Sequence, residues 1–271
     1  MGASLLITLR EGVEAALIVG IVLGVLSRFG HTHLKRHVWL GTVTALILSL
    51  GAGIGLYFVG ITFSGRGEQI FEGSTMLAAA LLLTWMIFWM KTHGRELSKE
   101  LEVETKEALT VGGLALFLVA FTAVLREGLE TALFLVAATF QAGAVGTLVG
   151  GALGLLIAVL IGVMIFRASL TLNLKQFFNV TGLLLLFVAA GLIAHGVHEF
   201  QEAGLIPVVI EHVWDINGIL NEKSVVGSFL KALFGYNGNP SLIEVASYLI
   251  YLVVVGIAGK PKDVKIREAI A

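Results

Sequence analysis

Apolar residues in this 271-residue chain gather into runs of about 20, each long enough to cross a bilayer core of roughly 30 Å. No other feature constrains the fold as tightly. A chain in lipid must satisfy its backbone polar groups internally, and a helix does so segment by segment. The runs predict helices at about 4–26, 37–60, 68–91, 111–138, 146–167, 175–198 and 242–259. The expected fold is all-α and integral to a membrane, with seven transmembrane helices. Composition agrees: 14% of residues are charged, against about 25% in a soluble domain. Pro207, Pro240 and Pro261 all fall outside the spans, as expected of a residue that breaks a helix interior. There is no cysteine, which excludes disulfides and thiolate metal sites. The first apolar run lacks a basic flank and a cleavage site, so it reads as a retained helix.

Lysine and arginine in the connections give an orientation. Thirteen, from Arg28 through Lys106 and Arg167 to Arg267, fall on one side, and only Arg66, Lys223 and Lys231 on the other. The expected arrangement has the N-terminus outside and the C-terminus in the cytoplasm, in the cell's plasma membrane. Residues 95–109 are a solvated helical extension on the cytoplasmic side. His31, His33 and His37 lie in a basic connection on that side and read as part of the orientation signal. Trp85 and Trp89 fit an interfacial belt. Gly20/Gly24, Gly51/Gly55 and Gly146/Gly150/Gly154 are spaced for close helix contact.

Two of the apolar runs carry charges. "LREGVEAAL" at residues 9–17 recurs as "LREGLETAL" at 125–133, identical at seven of nine positions. A weaker echo pairs "QIFEGS" at 69–74 with "QFFNVT" at 176–181. Residues 1–91 and 111–198 therefore read as two copies of a three-helix unit. An odd number of helices per copy gives them opposite orientation, the inverted repeat of many transporters. Residues 92–110 are the cytoplasmic connector and 199–241 an external loop. Residues 242–271 supply the seventh helix and a basic cytoplasmic tail.

A charge at the bilayer centre costs about 2.5–3.5 kcal/mol, so Arg10, Glu11, Glu14, Arg126, Glu127 and Glu130 would together cost on the order of 15 kcal/mol if isolated. They are expected to face one another or water. Glu11 and Glu14 are three apart and share a helix face, and Arg10 and Glu14, four apart, can pair along it. Arg126, Glu127 and Glu130 repeat the pattern. Gly12 and Gly128 remove bulk beside the acids, so a helix or a ligand can approach. Four converging carboxylates suit a hard cation that prefers oxygen. Four glutamates and two arginines sum to −2, and Glu72, near the start of the third helix, brings this to −3, the complement of a trivalent ion. The alternative is that the Arg–Glu pairs only lock helices together, but locking does not call for two acids per arginine.

Paired Arg-Glu-Gly-x-Glu motifs in the first and fourth of seven helices resemble the oxidase-dependent iron transporter family, which includes the yeast high-affinity iron permease and bacterial ferric permeases. The likeness extends to "FEGS" at 71–74, "GVHEFQEAGLIP" at 196–207 and the loop at 213–241. It implies that Glu11, Glu14, Glu127 and Glu130 bind Fe³⁺ and pass it inward. Arg10 and Arg126 would orient the acids, and Glu72 would be a further ligand or relay. It also implies separate external proteins that deliver or oxidise iron, with no organic cofactor.

His195, His198, Glu199 and Glu202 share one face at the outer end of the sixth helix. With Glu211 and Asp215 they form a possible outer capture site, or else a hydrated helix end; His212 lies beside them in the loop. The leading expectation is a ferric permease. One alternative is a carrier of a divalent ion such as Fe²⁺ or Pb²⁺, with proton exchange on the glutamates. Another is a membrane sensor that binds iron without flux. An intramembrane enzyme has little support: there is no His-Glu-x-x-His motif, cysteine nucleophile or nucleotide-binding loop. A net charge of −1 gives no reason to expect a nucleic-acid partner.

Overall fold

A computed structural model describes residues 1–168, 173–222 and 224–259. Lys223 and the basic tail of Lys260, Lys262, Lys265 and Arg267 lie outside the described residues. The described chain is helical without a strand: α1 (Gly2–Arg28), α2 (Lys35–Thr62), α3 (Arg66–Val111), α4 (Gly113–Ala142), α5 (Ala144–Ala168), α6 (Leu174–Glu202), α7 (Val225–Phe234) and α8 (Leu242–Ala258). Single glycines at positive φ, Gly112 and Gly143, break the chain between α3, α4 and α5, where a side chain would be strained. The Ser241 hydroxyl and Glu244 carboxylate close a reciprocal capping box on α8.

Among the described residues, four segments are long and apolar enough to cross a membrane: Thr32–Thr62, Arg66–Thr92, Ala144–Phe166 and Leu174–Glu202. α1 and α4 have similar length, but each carries the charged motif within it. Large apolar side chains cover the outer faces of α2 and α5, where Leu50 is 66% and Leu148 72% exposed. Such continuous apolar surface belongs against lipid.

Two differences from the sequence reading stand out. The third helix continues through the expected helical extension to Val111. The 92–110 connector is thus part of α3, and it is not wholly solvated. Leu101, Thr105 and Ala108, spaced four and three apart, are buried, with Leu101 and Ala108 packed in one cluster with Val22, Leu26, Leu116 and Ala120. The 199–241 stretch is also more than a loop. Within it, α7 starts at a Ser224 side-chain cap and stops at left-handed Gly235. Ala232 of α7 is fully buried in the main core, beside Leu192 of α6.

Packing is set by small residues. On α1 and α5, Ser4 meets Gly150, Thr8 meets Gly154, Gly12 meets Ala158 and Ala16 meets Gly162. Both numbers rise in steps of four, so the helices run parallel along one ridge. α2 and α4 are parallel in the same way, with Gly41 against Phe117, Ser49 against Gly128 and Gly53 against Ala132. α3 and α6 run antiparallel, Gly73 against Gly196 and Ile87 against Gly182. α1 and α4 also pack on each other, which brings their motifs together.

Candidate metal centre

Helical spacing decides which motif side chains meet. In α1, Arg10 reaches Glu11 at 2.7 Å and Glu14 at 2.9 Å. All three are buried, Arg10 to 1% exposure. The guanidinium also contacts the Met86 thioether of α3 and faces the Phe178 ring of α6, 5.8 Å from its centroid. In α4, Arg126 donates from Nε to Glu130 at 3.1 Å and lies 4.0 Å from Glu127. Its side chain is 41% exposed, with its guanidinium 5.1 Å from the centre of the Trp89 ring. Trp89 therefore has a role beyond the interfacial belt: its face offers a cation–π contact to a motif arginine.

The two helices bring one carboxylate oxygen from each of Glu11, Glu14 and Glu127 within 4.8 Å of one another. Glu130 stands beside this trio, and its charge acts on all three. Glu11 Oε2 and Glu130 Oε2 are buried without a hydrogen-bond partner among the described residues. Like charges this close, with free oxygens, are costly unless a cation or proton is shared between them. Gly12 and Gly128 act as close-packing positions. A Cβ on Gly12 would approach the Ala158 methyl to 2.7 Å, and one on Gly128 would overlap the Ser49 side chain.

Glu72 is elsewhere. Met86, which touches Arg10, lies fourteen residues farther along α3, or about 21 Å along a helix axis. Glu72 instead stands among Glu68, Glu199 and Glu202 at the N-terminal end of α3 and the C-terminal end of α6. The charge sum that placed it with the motif acids does not describe this structure.

Most of the expected outer residues do assemble. A cavity of about 410 Å³ is lined by His195, His198, Gln201, Glu202, Glu211 and Glu244, among others. His198 bridges Glu202 at 3.2 Å and Glu244 at 3.0 Å, and His212 at the rim contacts the Asn239 carbonyl at 2.9 Å. Glu199 and Asp215 do not line it: Glu199 packs beside Gly73, and Asp215 accepts from the Asn217 amide. Sequence reasoning missed Gln201 and Glu244. Glu244 had one signal, its place three residues after Ser241 at the start of an apolar run.

Comparison with known proteins identifies the family of the chain. The iron permease FTR1 family matches residues 1–260. The ferrous iron permease EfeU of Escherichia coli O6:H1 is 39% identical over 256 residues, 93% of either chain. A putative inactive ferrous iron permease EfeU of Escherichia coli K12 matches to the same extent. EfeU of Yersinia pestis is 39% identical over 251 residues, 92% of this chain and 89% of that protein. No solved structure matches the chain. The family match takes in both motif helices and the residues of the His195–Glu202 cavity, and the chain belongs to the iron permease FTR1 family, as a membrane transporter for iron uptake.

Proposed function

We propose that iron enters the cell through the carboxylates of Glu11, Glu14, Glu127 and Glu130, where α1 meets α4. One observation carries this reading: three glutamates from two helices hold oxygens within 4.8 Å of one another inside the protein. An all-oxygen, anionic donor set suits a hard or borderline cation. Arg10 and Arg126 aim the acids through their ion pairs and limit the net charge.

The ion is Fe²⁺. With Glu72 about 21 Å along α3 from Met86 and standing among Glu68, Glu199 and Glu202, four glutamates and two arginines leave −2, which a divalent ion neutralises. The relatives above carry "ferrous" in their names. The ferric reading has one observation in its favour, the hardness of a donor set made only of carboxylates. Uptake into liposomes, with Fe²⁺ under reductant and Fe³⁺ on a weak chelator in parallel, separates the two. Accumulation of Fe²⁺ is expected; accumulation of Fe³⁺ alone would replace it, and binding without flux of either ion would make the protein a sensor.

The transport reading includes seven crossings of the plasma membrane, N-terminus outside, by two inverted three-helix units and a final helix. Matched contacts support it. Gly12 on Ala158 has a counterpart in Gly128 on Ser49, and Ala16 on Gly162 in Ala132 on Gly53. The first helix of each unit thus packs on the second helix of the other. Rocking of two such units about a shared site exposes it to each side in turn. The His195–Glu202 cavity is the outer vestibule, and a separate external protein delivers iron there.

A further inference from the structure

Gln141 is 4% exposed, and neither its amide oxygen nor its nitrogen has a hydrogen-bond partner among the described residues. Buried amides are ordinarily satisfied, and one with both ends free calls for an explanation. Its position supplies one. Gln141 lies eleven residues after Glu130 on α4, close to three full turns, so both occupy one face of the helix about 16 Å apart. Phe134 and Ala138 lie between them on that face, both buried.

On α6, His195 and Gly191 are one turn apart, and Gly191 is where Gln141 meets the tip of α7. A Cβ on Gly191 would come within 2.6 Å of the Gly235 Cα and 3.0 Å of Gln141 Nε2. α4, α6 and the end of α7 therefore close on one another just below the vestibule, and the polar side chain at that closure is Gln141. In the vestibule itself, Gln201 Nε2 is likewise buried and unpartnered.

Building on the import reading above, we propose that Gln141 is an intermediate station for the ion. Its amide oxygen takes a partly hydrated iron cation, and its NH₂ group bonds one of the ion's waters, between the His195 vestibule and the four glutamates. A neutral amide suits a station that must release what it holds, since it offers a ligand oxygen without a charge. Each opening of the α7 tip from Gly191 would hand the ion past Phe134 to Glu130.

The test is Gln141→Met, which keeps the volume and removes the polar ends, measured in detergent and in liposomes beside wild type. The expected result has three parts: thermal stability equal to wild type or higher, equilibrium iron binding unchanged, and maximal uptake lower by about tenfold or more. Gln141→Glu, which keeps an oxygen in place, is expected to transport faster than Gln141→Met. Normal uptake by Gln141→Met overturns the proposal. So does failure to fold or loss of equilibrium binding, because the amide would then serve the structure or the carboxylate site. If wild type itself moves no iron, the import reading fails first and this inference with it.

Discussion

Arg10 and Arg126 hold the same place in their two motifs yet stand in different surroundings: Arg10 is sealed inside the protein, while the Arg126 side chain is 41% exposed. Arg10 touches both acids of its own helix, and Arg126 bonds closely to Glu130 alone. The asymmetry seals one half of the site and leaves the other with an open flank.

Arg10→Met is expected to destabilise the protein strongly, by about 3–5 kcal/mol, because it leaves buried carboxylates without their counter-charge. Arg126→Met is expected to cost less than Arg10→Met, because the Arg126 side chain is itself only partly buried and bonds closely to Glu130 alone. Thermal unfolding in detergent compares the two, and equal losses would contradict the asymmetry.

Gly128 leaves no room for a methyl group against Ser49. Gly128→Ala is expected to lose about 1–3 kcal/mol through overpacking. Ser49→Gly in the same chain is expected to restore most of that loss. A double variant no more stable than Gly128→Ala would place the strain elsewhere.

Iron affinity is expected to drop by at least about tenfold in Glu127→Gln, since even groups behind metal ligands change affinity by about 10–100-fold. Glu72→Gln is expected to leave it unchanged, because Glu72 stands with Glu68 and Glu199 rather than with the motif acids. Equilibrium titration of the purified variants reads both, and a loss in Glu72→Gln would return that residue to the site.

His195 lines the vestibule and lies outside the carboxylate cluster. His195→Ala is expected to raise the iron concentration for half-maximal uptake several-fold while leaving the maximal rate unchanged, the pattern of lost capture rather than lost passage. A fall in maximal rate alone would place His195 in the translocation step instead.

The parts of this protein that were legible in sequence are those written in local periodicity. Glu11 and Glu14 share a face because they are three residues apart, and Arg10 reaches Glu14 because it is four away. What was not legible depended on distant partners. The α3 extension looked soluble because its charges dominate, and only the fold shows Leu101 and Ala108 against Val22 and Leu116. Glu72 fitted a charge sum, but its distance along α3 is set by where Met86 meets Arg10. α7 did carry local signals, the Ser224 cap and the Gly235 stop, and these were outweighed by the polar loop around them. Gln141 had no signal at all, since an unpartnered amide is a property of the packed interior.

The measurement that tests the central claim most directly is iron uptake into liposomes by wild type, Glu14→Gln and Glu130→Gln, with folding of each checked by thermal melting. The account predicts uptake by wild type and none by either variant, with both still folded. Uptake at the wild-type rate by the two variants would contradict it, and would mean that the buried motifs hold the helices together while iron passes elsewhere.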